Sequence, residues 1–155
     1  MAPMTTQQTV QKYLLVTGIF QVFIGCLIGM TPPEAVKHFR SIITMHLEYV
    51  QNGVLLAVMG LVTPHCNLGN TLLWVMFVLA EAGTWLNGSA FYFAAFHGAG
   101  TELCPHSQAD LPKNEPYSAY HTQTLMVCAV CILASLLLMV VGLICGPPSS
   151  KTKSS

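Results

Sequence analysis

Charge is what this chain most lacks. Across 155 residues it carries six Lys and Arg and six Asp and Glu, 8% in all, against 53% hydrophobic residues. An ordinary soluble domain is about 25% charged, so too few charges remain here to cover a water-facing surface. The scarcity places the chain in the membrane class before any motif is read. The two signs balance, which excludes a basic patch for nucleic acid and a polybasic clamp for lipid headgroups. Lysine and arginine are missing from every long apolar run, so a carboxylate in such a run finds no cation in the spans. No ring of repeated charges and no filter-like backbone motif is present, which argues against a channel. The cysteines and histidines lack the spacing of a structural metal site.

What is present is four apolar runs: Tyr13 to Met30, Ile42 to Val62, Thr71 to Phe96 and Thr124 to Cys145. Each meets the roughly 17–25 residues that a spanning helix needs. The first is too long for a signal-peptide core, and no clear cleavage site follows it before Pro32-Pro33. The expectation is an all-α membrane protein, a four-transmembrane-helix bundle. It forms one domain over residues 1–155, with spans near 13–30, 42–62, 71–96 and 124–145 and a polar tail over 146–155. Met1 to Gln11 reads as a short disordered N-terminus. The first loop, Thr31 to Ser41, leaves room for a short interfacial helix over Glu34 to Arg40, and Pro64 to Asn70 reads as a tight turn. His97 to Ala119 is the longest and most polar connection; it is either a lid over a site or a solvated connector. Cys66 and Cys104 fall in successive loops on opposite faces and cannot pair. Cys128-x-x-Cys131 sits mid-helix among aliphatics and reads as packing. Lys151 and Lys153 resemble a dilysine retrieval signal, which implies an endoplasmic-reticulum address if it is used.

Polar residues inside the runs carry the functional signal. Met45 to Gly53 places His46, Glu48, Gln51 and Asn52 within seven positions of one span. Bilayers penalise such residues, so an ionisable one inside a span is a functional hypothesis by default. At 100° per residue, Glu48, Gln51 and Asn52 fall within about 100° of one another, and His46 points about 120° away from Asn52. One helix therefore offers two polar directions. Gln51 and Asn52 also suit interhelical hydrogen bonding. A carboxyl in lipid needs a partner or a proton, so Glu48 is expected to be buried, and either protonated or bonded to a polar group of the third or fourth helix. The third run repeats the pattern: Glu81, Thr84, Gly88, Ser89 and Tyr92 share one face, with Asn87 about 60° from Thr84. His121 reads as an interfacial histidine, and His97 with His106 is a weak metal signal. The Asn87-Gly88-Ser89 sequon lies out of reach of a glycosyltransferase.

His46-Leu-Glu48-Tyr-Val-Gln-Asn52-Gly53 resembles the second-helix motif of the hydroxylaminobenzene mutases, and the same H-x5-N-G spacing occurs in the styrene oxide isomerases. Leu14 to Phe20 with Gly25 and Gly29, and Gly83 to Asn87, are similar to the mutases; Trp85-x-Asn87 and Phe91-Tyr92-Phe93 are similar to the isomerases. The resemblance runs from about Leu14 to Gly98. It implies a membrane-embedded isomerase that rearranges a small lipophilic epoxide to a carbonyl, or an arylhydroxylamine to an aminophenol. It further implies haem b between the subunits of a homotrimer, with His46 as the iron ligand and Asn52 and a helix-three tyrosine, here Tyr92, positioning the substrate; Asn87 and Glu48 join them as candidate catalytic residues from their place in the spans. Two positions depart from the isomerase pattern. The tyrosine comes one residue later relative to Asn87, and Gly83 replaces an aspartate, with Glu81 two residues earlier. The rival reading is a non-enzymatic four-helix accessory or assembly protein of the DoxX-like kind, its polar residues serving as interhelical glue.

Overall fold

The structure, a computed structural model, describes residues 3–106 and 108–146. Lys151 and Lys153, and with them the retrieval signal, lie outside the described residues. Four long helices follow one another: α1 (Thr6–Ile28), α2 (Phe39–Val62), α3 (Asn70–Tyr92) and α4 (Pro116–Ile144). No strand occurs among the described residues. Three helices (α1, α4, and α2 extended through His65) are long and apolar enough to cross a membrane. α3 is the same length as α1, at 23 residues, but carries the polar stripe. It packs against all three other helices, so its polar face meets protein rather than lipid. The chain is an integral membrane protein built as an all-α bundle.

Two helices begin well before their apolar runs. Thr5 caps α1: its hydroxyl accepts from Gln8 N, and Gln8 Oε1 accepts from Thr5 N. This reciprocal capping box fixes a helix start in polar sequence. The same turn is anchored to the second loop, since Gln7 Nε2 donates to the carbonyls of Thr63 at 2.8 Å and Cys66 at 3.1 Å. The segment from Thr6 to Gln11 is thus ordered helix, contrary to the expectation of a disordered N-terminus. α4 likewise opens at Pro116, where a proline suits the first helical position. In the first loop, the expected short helix over Glu34 to Arg40 is only a 3₁₀ turn, Pro33–Ala35, and α2 begins at Phe39.

α1 and α2 cross at glycines. A Cβ on Gly18 would lie 2.6 Å from Gly53 O, and one on Gly53 would lie 2.5 Å from Gly18 O. The backbones touch because neither residue has a side chain, which is how membrane helices gain contact without a hydrophobic driving force. Below this crossing lies an apolar core of Val10, Leu14, Leu56, Met59, Leu73 and Met76, at the end of the bundle that holds the second loop. Cys66 is buried against this core, and burial pushes its thiol pKa up. Among the described residues, no disulfide joins Cys26, Cys66, Cys128, Cys131 or Cys145.

At the other end, the first and third loops are joined. α3 runs into a π turn, Phe93–His97, whose Ala95 carbonyl accepts the backbone N–H of Lys37 at 2.9 Å and His38 at 3.1 Å. Gly98 ends that turn at φ 71°, a left-handed conformation that glycine adopts without strain. His38 adds a second tie, with Nε2 3.3 Å from Asp110 Oδ2.

Candidate functional site

The polar residues of the spans gather in the half of the bundle nearer these joined loops. Asn87 of α3 donates through Nδ2 to Glu48 Oε2 of α2, while its Oδ1 accepts from Cys128 Sγ of α4 at 3.6 Å. One amide thus links three helices. Glu48 is half-buried and has the helix-three partner that its residue type demanded, although it is less enclosed than expected. Asn52 is buried, and its Nδ2 reaches Thr84 O at 3.4 Å. Gln51, grouped with these two by helix geometry, is exposed instead.

Tyr49 stands between them, one residue after Glu48. Its hydroxyl lies 2.7 Å from Ser89 Oγ, and its ring meets Trp85 edge-on at 5.6 Å between centroids. The ring fits because Gly88 is bare: a Cβ there would come within 2.6 Å of it. Trp85 Nε1 in turn donates to Glu81 Oε2 at 3.0 Å, and Thr17 of α1 donates to Glu81 Oε1. Both membrane carboxyls are therefore held by uncharged donors. Thr17 escaped the sequence reading, as a lone threonine in an apolar run carries no pattern. So did the chain Ser41–His38–Asp110, where His38 Nδ1 is 2.7 Å from Ser41 Oγ.

His46 points away from this cluster, toward α1. Its Nδ1 lies 2.7 Å from Gly25 O. A carbonyl only accepts, so Nδ1 carries a proton; in the neutral ring the lone pair is then on Nε2. The ring lines a cavity of about 330 Å³ with Cys26, Met30, Phe39, Ile42 and Ile43. Tyr92 also stands apart. It is 44% exposed and stacks on Phe96 at 4.7 Å, so it does not join Asn52 and Asn87. It lines a second cavity of about 330 Å³ with Met45, Leu86, Ser89, Phe93 and Thr124. A third, of about 470 Å³, opens beside Asn87 and Cys128 and is walled by Leu103, Leu125, Ile132 and Leu133. A further cavity, of about 640 Å³, lies along the first turns of α1 by Gln8 and Lys12 and reaches none of these groups.

His121, read as interfacial, is fully buried: its Nδ1 is 3.0 Å from Ala99 O and its ring meets the edge of Phe91. His97 stacks on Tyr117 at 4.0 Å. Among the described residues no group of three His, Cys, Asp or Glu is placed to hold a bare metal ion.

A model of the styrene oxide isomerase family matches residues 10–144. The chain belongs to the styrene oxide isomerase family. The match takes in all four helices, further than the motifs legible in α1 to α3. Two similar proteins are hydroxylaminobenzene mutases of Ectopseudomonas oleovorans. HabA is 33% identical over 95 residues, covering 61% of this chain and 70% of HabA. HabB is 34% identical over 101 residues, covering 65% of this chain and 61% of HabB. No solved structure matches the chain. His46 and Asn52, six residues apart on α2, are directed by the fold to different neighbours, α1 and α3.

Proposed function

We propose that this chain is a membrane-embedded isomerase that rearranges a small lipophilic epoxide to a carbonyl, with haem b held by His46. The observation that carries the reading is the 2.7 Å contact of His46 Nδ1 with Gly25 O. Metal-bound histidines commonly donate their second ring nitrogen to a carbonyl, which fixes the tautomer. His46 meets that condition, beside an apolar cavity. Haem needs a single protein ligand and an open site, so one such histidine is a sufficient donor set. The group, when bound, supplies a Lewis acid that polarises an oxygen with no net redox change.

The chain's own residues supply the rest. Asn52 and Asn87 are amides that donate to or accept from a substrate oxygen in a space closed to bulk water. Trp85 and Tyr49 present electron-rich faces that favour developing positive charge. Glu48 holds Asn87 in place, and Tyr92 offers a hydroxyl at the outer cavity. Because His46 and Tyr92 face away from the Asn87 cluster, a homotrimer in which one copy's His46 meets its neighbour's cavity beside Asn87 reconciles the two directions. The HabA and HabB similarity keeps an arylhydroxylamine as the other substrate class. A role for Lys151 and Lys153 in endoplasmic-reticulum retention, serving a biosynthetic pathway, belongs to the same proposal.

The test is the absorption spectrum of protein purified in detergent, followed by turnover of an aryl epoxide and of an arylhydroxylamine. A Soret band that disappears in His46→Ala, with turnover of either substrate, supports the reading. Colourless, inactive protein favours the accessory role instead, since the bonds of Glu48 to Asn87 and of Glu81 to Thr17 and Trp85 already satisfy both carboxyls as interhelical links.

A further inference from the structure

We propose that Gly29 is a positioning residue: its missing side chain seats the imidazole of His46 and thereby directs the other ring nitrogen. The inference rests on the reading of His46 as a ligand, but its geometry stands apart from any bound group. A Cβ built on Gly29 meets three heavy atoms first, and all three belong to the His46 ring: Nδ1 at 2.8 Å, Cε1 at 3.1 Å and Cγ at 3.2 Å. The ring therefore lies flat against the backbone of α1 where a side chain would stand.

The backbone itself does not ask for glycine at this position. Gly29 has φ −62° and ψ −15°, ordinary right-handed helical values, which alanine adopts at no cost and with less entropy lost on folding. Gly29 is the C-cap of α1, and its backbone conformation accepts alanine as readily as glycine. The contact with His46 is the feature that opposes a side chain there. Gly25 contrasts with it: a Cβ there would strike Val50 and Tyr49, so Gly25 serves helix packing as well. Gly25 O accepts twice, from Gly29 N at 3.0 Å and from His46 Nδ1 at 2.7 Å, which fills both lone pairs of the carbonyl. Gly25 holds the ring at one nitrogen and Gly29 sets its plane. A methyl at residue 29 must push the ring off that plane, lengthening the bond to Gly25 O and freeing the tautomer.

Two measurements on the full-length protein test this. The first is a double-mutant cycle in thermal stability on haem-free protein, comparing wild type, Gly29→Ala, His46→Ala and the double variant. Gly29→Ala is expected to lower the melting temperature when His46 is present, and to leave it unchanged or raise it in the His46→Ala background. Equal effects in the two backgrounds overturn the seat. The second is haem binding: Gly29→Ala is expected to weaken it by about tenfold or more, the range found for groups that orient a metal-bound histidine, and to shift the Soret band. Gly69→Ala, where an added Cβ meets nothing within 4 Å, is the control. If wild type takes up no haem, the ligand reading fails and the stability cycle still decides the seat. If wild type is red and Gly29→Ala matches it in affinity and spectrum, the seat fails and the ligand reading stands.

Discussion

Glu48 shows how far single residues can be read from sequence. A carboxyl in a span with no lysine or arginine in any run had to find an uncharged donor, and Asn87 supplies one. Glu48→Gln is expected to fold normally, because the replacement keeps an accepting oxygen; circular dichroism and size-exclusion profiles matching wild type would check it. Glu48→Ala leaves the Asn87 amide short of a partner and is expected to cost about 1–3 kcal/mol, read as a lower midpoint in thermal denaturation. Asn52→Ala is expected to retain haem and lower turnover by more than about tenfold, or 1.4 kcal/mol of barrier. An unchanged rate would make Asn52 a packing residue, bonded only to Thr84. Tyr92 was less legible. The face shared by Glu81, Thr84, Gly88 and Ser89 is covered in turn by Thr17, Asn52 and Tyr49. Tyr92 lies beyond that cover, and its ring stacks on Phe96 instead. Periodicity marks a face but not where the neighbour's covering stops.

Among the elements, hydropathy located every helix and misplaced several ends. Gln7, Gln8 and Gln11 are helical, as is the stretch from Pro116 to Gln123, yet neither contributes to an apolar run. The first is ordered by a capping box and side-chain bonds to the second loop, the other by a proline at the first helical position and side-chain bonds to the third loop, none of which a window average registers. The close crossing of α1 and α2 was half visible, as glycines at helical spacing, but their direct pairing across helices was not. Gly18→Leu is expected to prevent stable folding, because its Cβ alone would lie 2.6 Å from Gly53 O and 2.7 Å from Ala57 N, both backbone atoms that cannot turn aside. Loss of monodisperse protein in detergent is the readout. The third loop, left open between lid and connector, is tied to the first through His38 and Asp110. His38→Ala is expected to raise the rate of proteolytic cleavage near Asp110 several-fold, with the helices still protected.

Taken whole, the bundle divides along its length into an aliphatic half beside the second loop and a polar half beside the first and third. The candidate site residues lie in the polar half, yet His46 and the Asn52–Asn87 group look toward different sides of one chain. If neighbouring copies complete each other's sites, co-expressing the inactive variants His46→Ala and Asn52→Ala should restore part of the activity. Mixtures that stay inactive would place the whole site within a single chain.

The unequal halves make the protein sided with respect to the bilayer. His46 lies seven residues beyond the start of α2, about 10 Å along the helix axis, within a hydrocarbon core about 30 Å thick. A lipophilic molecule dissolved in the nearer leaflet meets the reactive level directly. One in the farther leaflet meets none of these polar groups and must first flip across. Supply and release of such a molecule would then run through a single leaflet.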